Sequence, residues 1–382
     1  MAEPEGEPRR TPLYHLHRES GAKFARFAGY DMPVHYPGGI LSEHHHTRRA
    51  AGLFDVSHMG QLMLSGGAAA AALEALMPID VIDLSAGRQR YALLTNASGG
   101  ILDDLMVTNL GDRLFLVVNG ACKAADVAHL RAGLPGACVL DVLEERALLA
   151  LQGPAAARVL GRLAPQTPRQ AFMTAAEAEI EGVGCLVSRC GYTGEDGFEI
   201  SLPAGACEAV ARRLLAEDAV ALIGLGARDS LRLEAGLCLY GADLDEHTTP
   251  VEAGLGWALS KARRAEGARP GGYPGEEVIL AQLADGPPRR RVGLKPDGRA
   301  PVRGGAELAD DAGRRVGTVT SGGYGPTVGG PIAMGYVEAA LAAAGTVLTA
   351  LVRGKPQAVQ VTRLPFVKHN YYRGSATEGA RP

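Results

Sequence analysis

In the stretch Gly99-Gly100-Ile101-Leu102-Asp103-Asp104-Leu105-Met106-Val107, two glycines lead into an apolar run that carries adjacent carboxylates. Successive side chains of a β-strand point to opposite faces, so Asp103 and Asp104 cannot share one side of a packed strand, and one of them must face inward. A carboxylate facing a cavity has to be desolvated or given partners, which is how a protein prepares an acid or a base. Taken alone, the pair reads equally well as a turn-end cap of the strand.

A second segment, Arg189-Cys190-Gly191-Tyr192-Thr193-Gly194-Glu195-Asp196-Gly197-Phe198-Glu199-Ile200, sets glycines, an aromatic and carboxylates between two strand-like runs. Glycines so close together indicate a tight turn whose backbone approaches something closely. Downstream, Ala227-Arg228-Asp229-Ser230-Leu231-Arg232-Leu233-Glu234-Ala235-Gly236 reads as a helix with Asp229 or Ser230 near its start. Together with Phe54-Asp55-Val56-Ser57-His58-Met59 and Asp245-Glu246-His247-Thr248-Thr249-Pro250-Val251-Glu252, in this order, these segments resemble the aminomethyltransferases, the T-proteins of the glycine cleavage system. The resemblance runs from about Thr11 to Tyr372, nearly the whole chain.

The resemblance implies a reaction. Its members take an aminomethyl group carried on the dihydrolipoyl arm of a lipoylated H-protein and pass its carbon to tetrahydrofolate, a co-substrate. The products are 5,10-methylenetetrahydrofolate, ammonia and the reduced arm. Asp104 matches the family's catalytic aspartate, placed to hold the folate in register, take up a proton and stabilise iminium character. Asp103 would then face the other way and serve structure. Glu199 occupies the family position that accepts the paired ring N–H and exocyclic amine of a pterin, and Tyr192 matches an aromatic that packs on the folate. Arg228 and Asn119 match further folate contacts, and Met59 and Tyr371 match pocket-lining positions.

Read from residue type alone, Glu199 is an alternate-face glutamate of a hairpin, Tyr192 a turn tyrosine and Asn119 a strand-end turn former. Arg228 at a helix start is electrostatically misplaced unless it meets an anion or pairs locally with Asp229 or Glu252. Two basic clusters, Lys261/Arg263/Arg264 and Arg289–Arg291, offer charge complementary to an H-protein, which is commonly acidic. Two other readings share the architecture: a stand-alone relative of the folate domains of sarcosine and dimethylglycine dehydrogenases, and a folate-binding assembly protein of iron-sulfur cluster maturation. The distinctive cysteine motif of the second is missing from this sequence.

Other cofactors and partners find little support. His44-His45-His46 cannot converge on one ion, because consecutive residues fan out on a helix and alternate on a strand. Thr320-Ser321-Gly322-Gly323-Tyr324-Gly325-Pro326 lacks the Lys-Ser/Thr ending of a phosphate loop, and Gly224-Leu225-Gly226 lacks the third glycine of a dinucleotide fingerprint. No metal, flavin or nucleotide is expected. The six cysteines have no C-x-x-C pairing and read as buried thiols. A net charge of −3 gives no global reason to expect nucleic acid, and no apolar run is long enough for a bilayer. The first ten residues hold three acids, unlike an organellar presequence, which suggests a cytoplasmic protein, or a mitochondrial matrix one if this is a processed eukaryotic form.

The elements that must position these residues follow from chain length and pattern. A chain of 382 residues exceeds the usual size of one core, so two or three domains are expected. Helical patterns mixed with short strands over the first 260 residues read as α+β rather than a regular βαβ array. Arg113–Asn119, Arg146–Gln152, Val183–Arg189 and Phe198–Leu202 read as strands, and helices are expected from Pro154 to Leu163 and from Ala206 to Ala216. Lys261 to Gly272 reads as a surface excursion. Beyond Asp285-Gly286-Pro287-Pro288, strands at Arg291–Lys295, Arg315–Ser321, Ile332–Val337, Gly345–Arg353 and Gln357–Arg363 indicate a small β-barrel or sandwich. The resemblance implies a multi-lobed folate-binding fold, including a ferredoxin-like lobe, closed by a C-terminal β-barrel. Its expected division is 11–284 for the folate-binding lobes and 285–373 for the barrel, with flexible termini at 1–10 and 374–382.

Overall fold

Arg146–Gln152 is apolar almost throughout, as a strand buried on both faces must be, and it occupies the interior of a six-stranded sheet. The computed structural model describes residues 6–352 and 354–374. The strand order in this sheet is Thr174–Ile180, Val183–Arg189, Gly197–Pro203, Arg146–Gln152, Ala51–Asp55, Val220–Leu222. Helices Ala156–Leu163 and Cys207–Leu215 turn Val159, Leu160, Val210 and Leu214 onto the core formed with Leu149, Leu151, Phe198 and Ile200. The first of these helices begins two residues later than Pro154, which lies in a preceding turn.

A second, five-stranded sheet is ordered Gln89–Thr95, Ile101–Asn109, Arg113–Val118, Gly60–Ser65, Val139–Val142. Its Leu62, Leu64, Leu105, Val107, Leu114 and Leu116 side chains alternate onto one core, as a half-buried strand pattern requires. Arg9–Arg10 pairs in parallel with Tyr30–Asp31 in a small three-stranded sheet, so this end of the expected flexible tail is held in place. The remaining parts of the expected flexible termini, 1–5 and 375–382, lie outside the described residues.

The C-terminal strands close into a barrel ordered Arg289–Pro296, Gly330–Glu338, Arg315–Gly325, Glu307–Ala309, Val347–Val352, Lys355–Thr362. The short Glu307–Ala309 strand was not expected from the pattern, because only Leu308 of its three residues is buried. The glycine-rich Thr320–Gly325 stretch belongs to a barrel strand paired with Gly330–Met334, which accounts for it without a phosphate.

A buried charge network joins the barrel to the glycine turn of the six-stranded sheet. Glu234, at the end of helix Leu225–Glu234, accepts from Arg48 Nη2 at 2.9 Å, lies 3.1 Å from His44 Nε2, and accepts the backbone N–H groups of Thr327 and Val328 between two barrel strands. Arg48 also donates to Glu195 in the glycine turn at 2.9 Å. His44 is hydrogen-bonded to Ser230 and Thr327, and His46 to the carbonyls of Ala51 and Ala219, so two of the three consecutive histidines are structural. Burial alone would push the Glu234 carboxyl up, but His44, Thr327 and Arg48 hold it down at about 2. That lies below its unfolded value of about 4.3. Its stabilisation is therefore complete above the unfolded value and is lost as pH falls toward 2. Replacing Glu234 by Gln is expected to cost about 3 kcal/mol, because Arg48 and His44 stay buried without their anion. It should also flatten the acid limb of stability in urea unfolding followed between pH 3 and 7.

Candidate active site

The carboxylate pair lies where sheet pairing changes hands. Asp103 and Asp104 pair with Leu94 and Leu93 on one side, but the neighbouring strand Arg113–Val118 ends before reaching them. Asn119, the next residue, takes the place of the missing ladder. Its Nδ2 donates to Asp103 Oδ1 at 2.9 Å and to both the carbonyl and Oδ1 of Asp104 at 3.0 Å, and its backbone N–H donates to Asp103 Oδ2 at 3.1 Å. Asp103 is fully buried and Asp104 partly exposed, as alternation on one strand demands. At the strand entry, a Cβ on Gly100 would lie 1.9 Å from the carbonyl oxygen of Glu246, so only glycine admits the 245–248 loop that bonds Ile101.

On the exposed face, Asp104 accepts the Tyr91 hydroxyl at 2.9 Å. Tyr91 stacks in turn on Trp257, with centroids 5.4 Å apart, and Trp257 is 66% exposed. Burial, and then the charge of Asp103, raise the Asp104 carboxyl to about 7, against the opposing hydrogen bonds of Tyr91 and Asn119. A carboxyl poised there exchanges protons readily at neutral pH.

The glycine turn supplies the opposite wall. Val183–Arg189 and Gly197–Pro203 are antiparallel, as expected of a hairpin, and a Cβ on Gly191 would lie 1.8 Å from the Gln152 side chain. This close approach turns Tyr192 inward, where its hydroxyl donates to the Cys238 carbonyl and its ring carries the Arg228 guanidinium at 4.7 Å. Glu199 accepts the Cys190 thiol, and burial raises its carboxyl while Arg228 and Cys190 pull it down. Burial lowers Arg228, opposed by Tyr192 and Glu199. Tyr192, Glu199 and Arg228 are partly accessible to solvent and yet strongly desolvated, the combination expected of side chains lining a recess.

Helix Leu225–Glu234 starts earlier than Asp229 or Ser230, with Gly224 as its cap. The Gly224 N–H is satisfied from outside the helix, by Glu43 at 2.8 Å. Arg228 therefore stands in the first turn. Neither local pairing expected for it forms: Asp229 pairs with Arg232 and Glu252 with Arg289. Among the described residues, no side chain or carbonyl accepts a hydrogen bond from the Arg228 guanidinium.

Tyr371 enters from beyond the barrel. It stacks on Phe172 at 4.0 Å and 6°, anchored by Asn370 N–H on the Gly194 carbonyl at 2.8 Å. Met59, in the turn after Ala51–Asp55, packs half-buried with Phe54 and Phe115. The structure thus brings Asp104 and Arg228 to the two sides of Tyr192 and Glu199 to Arg228, with Tyr371 beside Cys190. Asn119 spends its amide nitrogen on the two aspartates. Tyr91, Trp257, Phe172 and Cys190 were not singled out from sequence. Tyr91 becomes visible only through the register that makes it a diagonal neighbour of Asp104.

Of the basic clusters, Lys261 and Arg290 are exposed, and the four other arginines are engaged within the fold. Arg263 is buried 3.3 Å from Glu74, Arg264 bonds the carbonyls of Leu259 and Gly256, and Arg291 bonds those of Ala253 and Gly236. Arg289 pairs with Glu252 at 3.1 Å and covers the Tyr336 ring. Lys261–Gly272 is a surface excursion, as expected, and is pinned by Arg263 and Arg269 on the buried Glu74. Among the described residues, no cluster of three His, Cys, Asp or Glu side chains could hold a metal, and no helix is long and apolar enough to cross a membrane.

Comparison with known proteins agrees with this architecture. Residues 13–263 match the family described as GCVT N-terminal domain, and residues 289–368 the glycine cleavage T-protein C-terminal barrel domain. The crystal structure of glycine cleavage system aminomethyltransferase T from Bartonella henselae superposes with a TM-score of 0.89 at 46% identity, covering 95% of this chain and 99% of that one. The mitochondrial aminomethyltransferase of Homo sapiens is 46% identical over 373 residues, covering 95% of this chain and 91% of that protein. The mitochondrial aminomethyltransferase of Pisum sativum is 44% identical over 381 residues, covering 97% and 92%. The chain belongs to the glycine cleavage T-protein family, and its class of activity is aminomethyl transfer.

The hydrogen bonds around Asp104 predict opposite shifts for two variants. In the ligand-free protein, a carbon-13 NMR titration should place the Asp104 carboxyl at about 7. Asp103→Asn, which removes the neighbouring charge, should move it down toward the ordinary carboxylate range. Tyr91→Phe, which removes a donor to the carboxylate, should move it up.

Proposed function

We propose that this chain transfers the one-carbon unit of an aminomethylated dihydrolipoyl arm, presented by a lipoylated H-protein, to tetrahydrofolate. The observation that carries the reading is the pair of charged groups left unspent beside Asp104. Arg228 has no protein hydrogen-bond acceptor among the described residues, and Glu199 has only a thiol donor, although both are desolvated. Leaving such groups without strong partners costs free energy, so they suit a ligand that supplies both donors and acceptors. A reduced pterin does so: its ring N–H and exocyclic amine fit the Glu199 carboxylate bidentately, and its carbonyl suits Arg228. Tyr192, Met59 and Tyr371 offer apolar surface to its rings.

In the reaction the sulfur–carbon and carbon–nitrogen bonds of the aminomethyl group break and two carbon–nitrogen bonds to folate form. Folate gives up two N–H protons; one leaves with ammonia and one with the thiol. Asp104 is the group that takes and returns protons, since a carboxyl titrating at about 7 does both near neutrality. In its ionised form it also stabilises cationic iminium character at the carbon being moved. Asp103 holds the charge that sets this behaviour, and Asn119 keeps the two carboxyls in place. We assign 11–284 to the folate-binding lobes and 285–373 to the barrel. The protein works in the cytoplasm, or in the mitochondrial matrix where it is a processed eukaryotic form.

The test is tetrahydrofolate-dependent ammonia release from aminomethylated H-protein. Asp104→Asn should lower the rate by about 10²- to 10⁴-fold while leaving the folate dissociation constant unchanged. Glu199→Gln removes a charged acceptor, and by the usual ~1.5–3 kcal/mol for such a bond it should weaken folate binding by roughly 10- to 100-fold. Folate binding by the unmodified protein with no ammonia release above the uncatalysed rate would overturn the reading in favour of a non-enzymatic folate protein.

A further inference from the structure

Behind the carboxylate pair, on the face of the sheet away from the recess, a third acid meets Asp103. Asp126 lies in the first turn of helix Lys123–Gly133 and is 2% exposed. Its carboxyl is hydrogen-bonded to that of Asp103, and its Oδ2 has no partner. Two carboxylates cannot share a hydrogen bond without a proton, so one of the two is neutral. Asp103 accepts the Asn119 backbone N–H, the Asn119 amide and the Cys122 thiol as well. Asp126 has only Asp103. The proton therefore belongs on Asp126, with Asp103 as its acceptor. A helix start favours an anion, but a second buried charge against Asp103 outweighs that preference.

No counter-charge relieves the cluster. Among the described residues, no Lys, Arg or His side chain pairs with Asp103, Asp104 or Asp126. Lys123, next to Cys122, turns its ammonium to the Tyr30 ring and hydroxyl. Burial lowers the pKa of His129, one turn further along the helix. From the 240–248 loop, Tyr240 faces Cys122, Asp103 and Asp126, and its hydroxyl donates to the Ile101 carbonyl. Burial, then the charges and hydrogen bond of Asp103, raise the Asp126 carboxyl to about 10, in agreement with the hydrogen-bond count.

We infer that Asp126 is a positioning residue of the transfer reaction: as a neutral acid it donates its proton to Asp103, pins one negative charge there, and through that charge keeps Asp104 ready to exchange protons. The inference rests on the role proposed for Asp104. Without the Asp126 donor the proton is shared between Asp103 and Asp104. When Asp103 carries it, only burial opposes ionisation of Asp104, and the repulsion of a neighbouring charge is gone.

The experiment has an arm that needs no turnover. Infrared difference spectra of the ligand-free protein at pH 8 should show a protonated buried carboxyl in wild type that is lost in Asp126→Asn; absence of that band in wild type overturns the inference. In the second arm, the acid limb of the transfer kcat/KM is followed. Asp126→Asn keeps an N–H donor to Asp103 and should leave the limb in place, with kcat within about threefold, whereas Asp126→Leu should move it to lower pH by about one unit. Coincident limbs for wild type and Asp126→Leu, or equal displacement by both variants, overturn the inference. If Asp126→Leu does not fold, the infrared band and the Asp126→Asn limb decide it. Failure of the transferase reading itself is seen separately, as missing ammonia release in wild type with the carboxyl band intact.

Discussion

One amide holds the chemistry of this protein together. Asp103 and Asp104 are consecutive on a strand, so the pleat sends them to opposite faces, and a carboxylate on a buried face needs donors. Asn119 supplies both faces at once because its strand stops just short of the pair. The glycine entry at Gly100, the 245–248 loop laid across it, and Tyr91 on the other flank follow from that placement. The two acids share a backbone and yet have different jobs. Asp103 is buried among donors and holds charge, whereas Asp104 has fewer donors and feels its neighbour's charge.

Elsewhere the charged groups divide by whether their hydrogen bonds are spent. Arg48 and Glu234, Arg232 and Asp243, and Arg189 and Asp196 are wholly or largely buried pairs, and most of their remaining lone pairs and N–H groups are taken by backbone or side-chain partners. The first two tie the glycine turn of the six-stranded sheet, helix Leu225–Glu234 and the barrel into one frame. Arg228 and Glu199 are desolvated to a comparable degree without such partners.

The same distinction settles the basic clusters. By sequence, Lys261/Arg263/Arg264 and Arg289–Arg291 are runs of cation on a polar background. In the fold, most of them cap loop carbonyls or answer the buried Glu74 and Glu252. Glu74 and Glu252 lie far from these runs in the chain, and a charge run cannot announce a distant acid.

The sequence by itself determined the kinds of element and most of their places. Arg146–Gln152 shows its continuous apolar run, the Arg189–Ile200 segment its glycine hairpin, and the C-terminal part its turn-separated strands, because period and turn residues are local signals. Ordered motifs also marked Asp104, Glu199, Tyr192 and Arg228. The pleat showed that one aspartate must point inward, but not that Asn119 clamps both or that Asp126 lies behind them. Those facts, the stacking of Tyr91 on Trp257, and the return of Tyr371 onto Phe172 were decided by tertiary structure alone. The physical reason is that burial and hydrogen-bond partnership belong to pairs of residues brought together across the fold, and a residue's type records only what it can offer to such a pair.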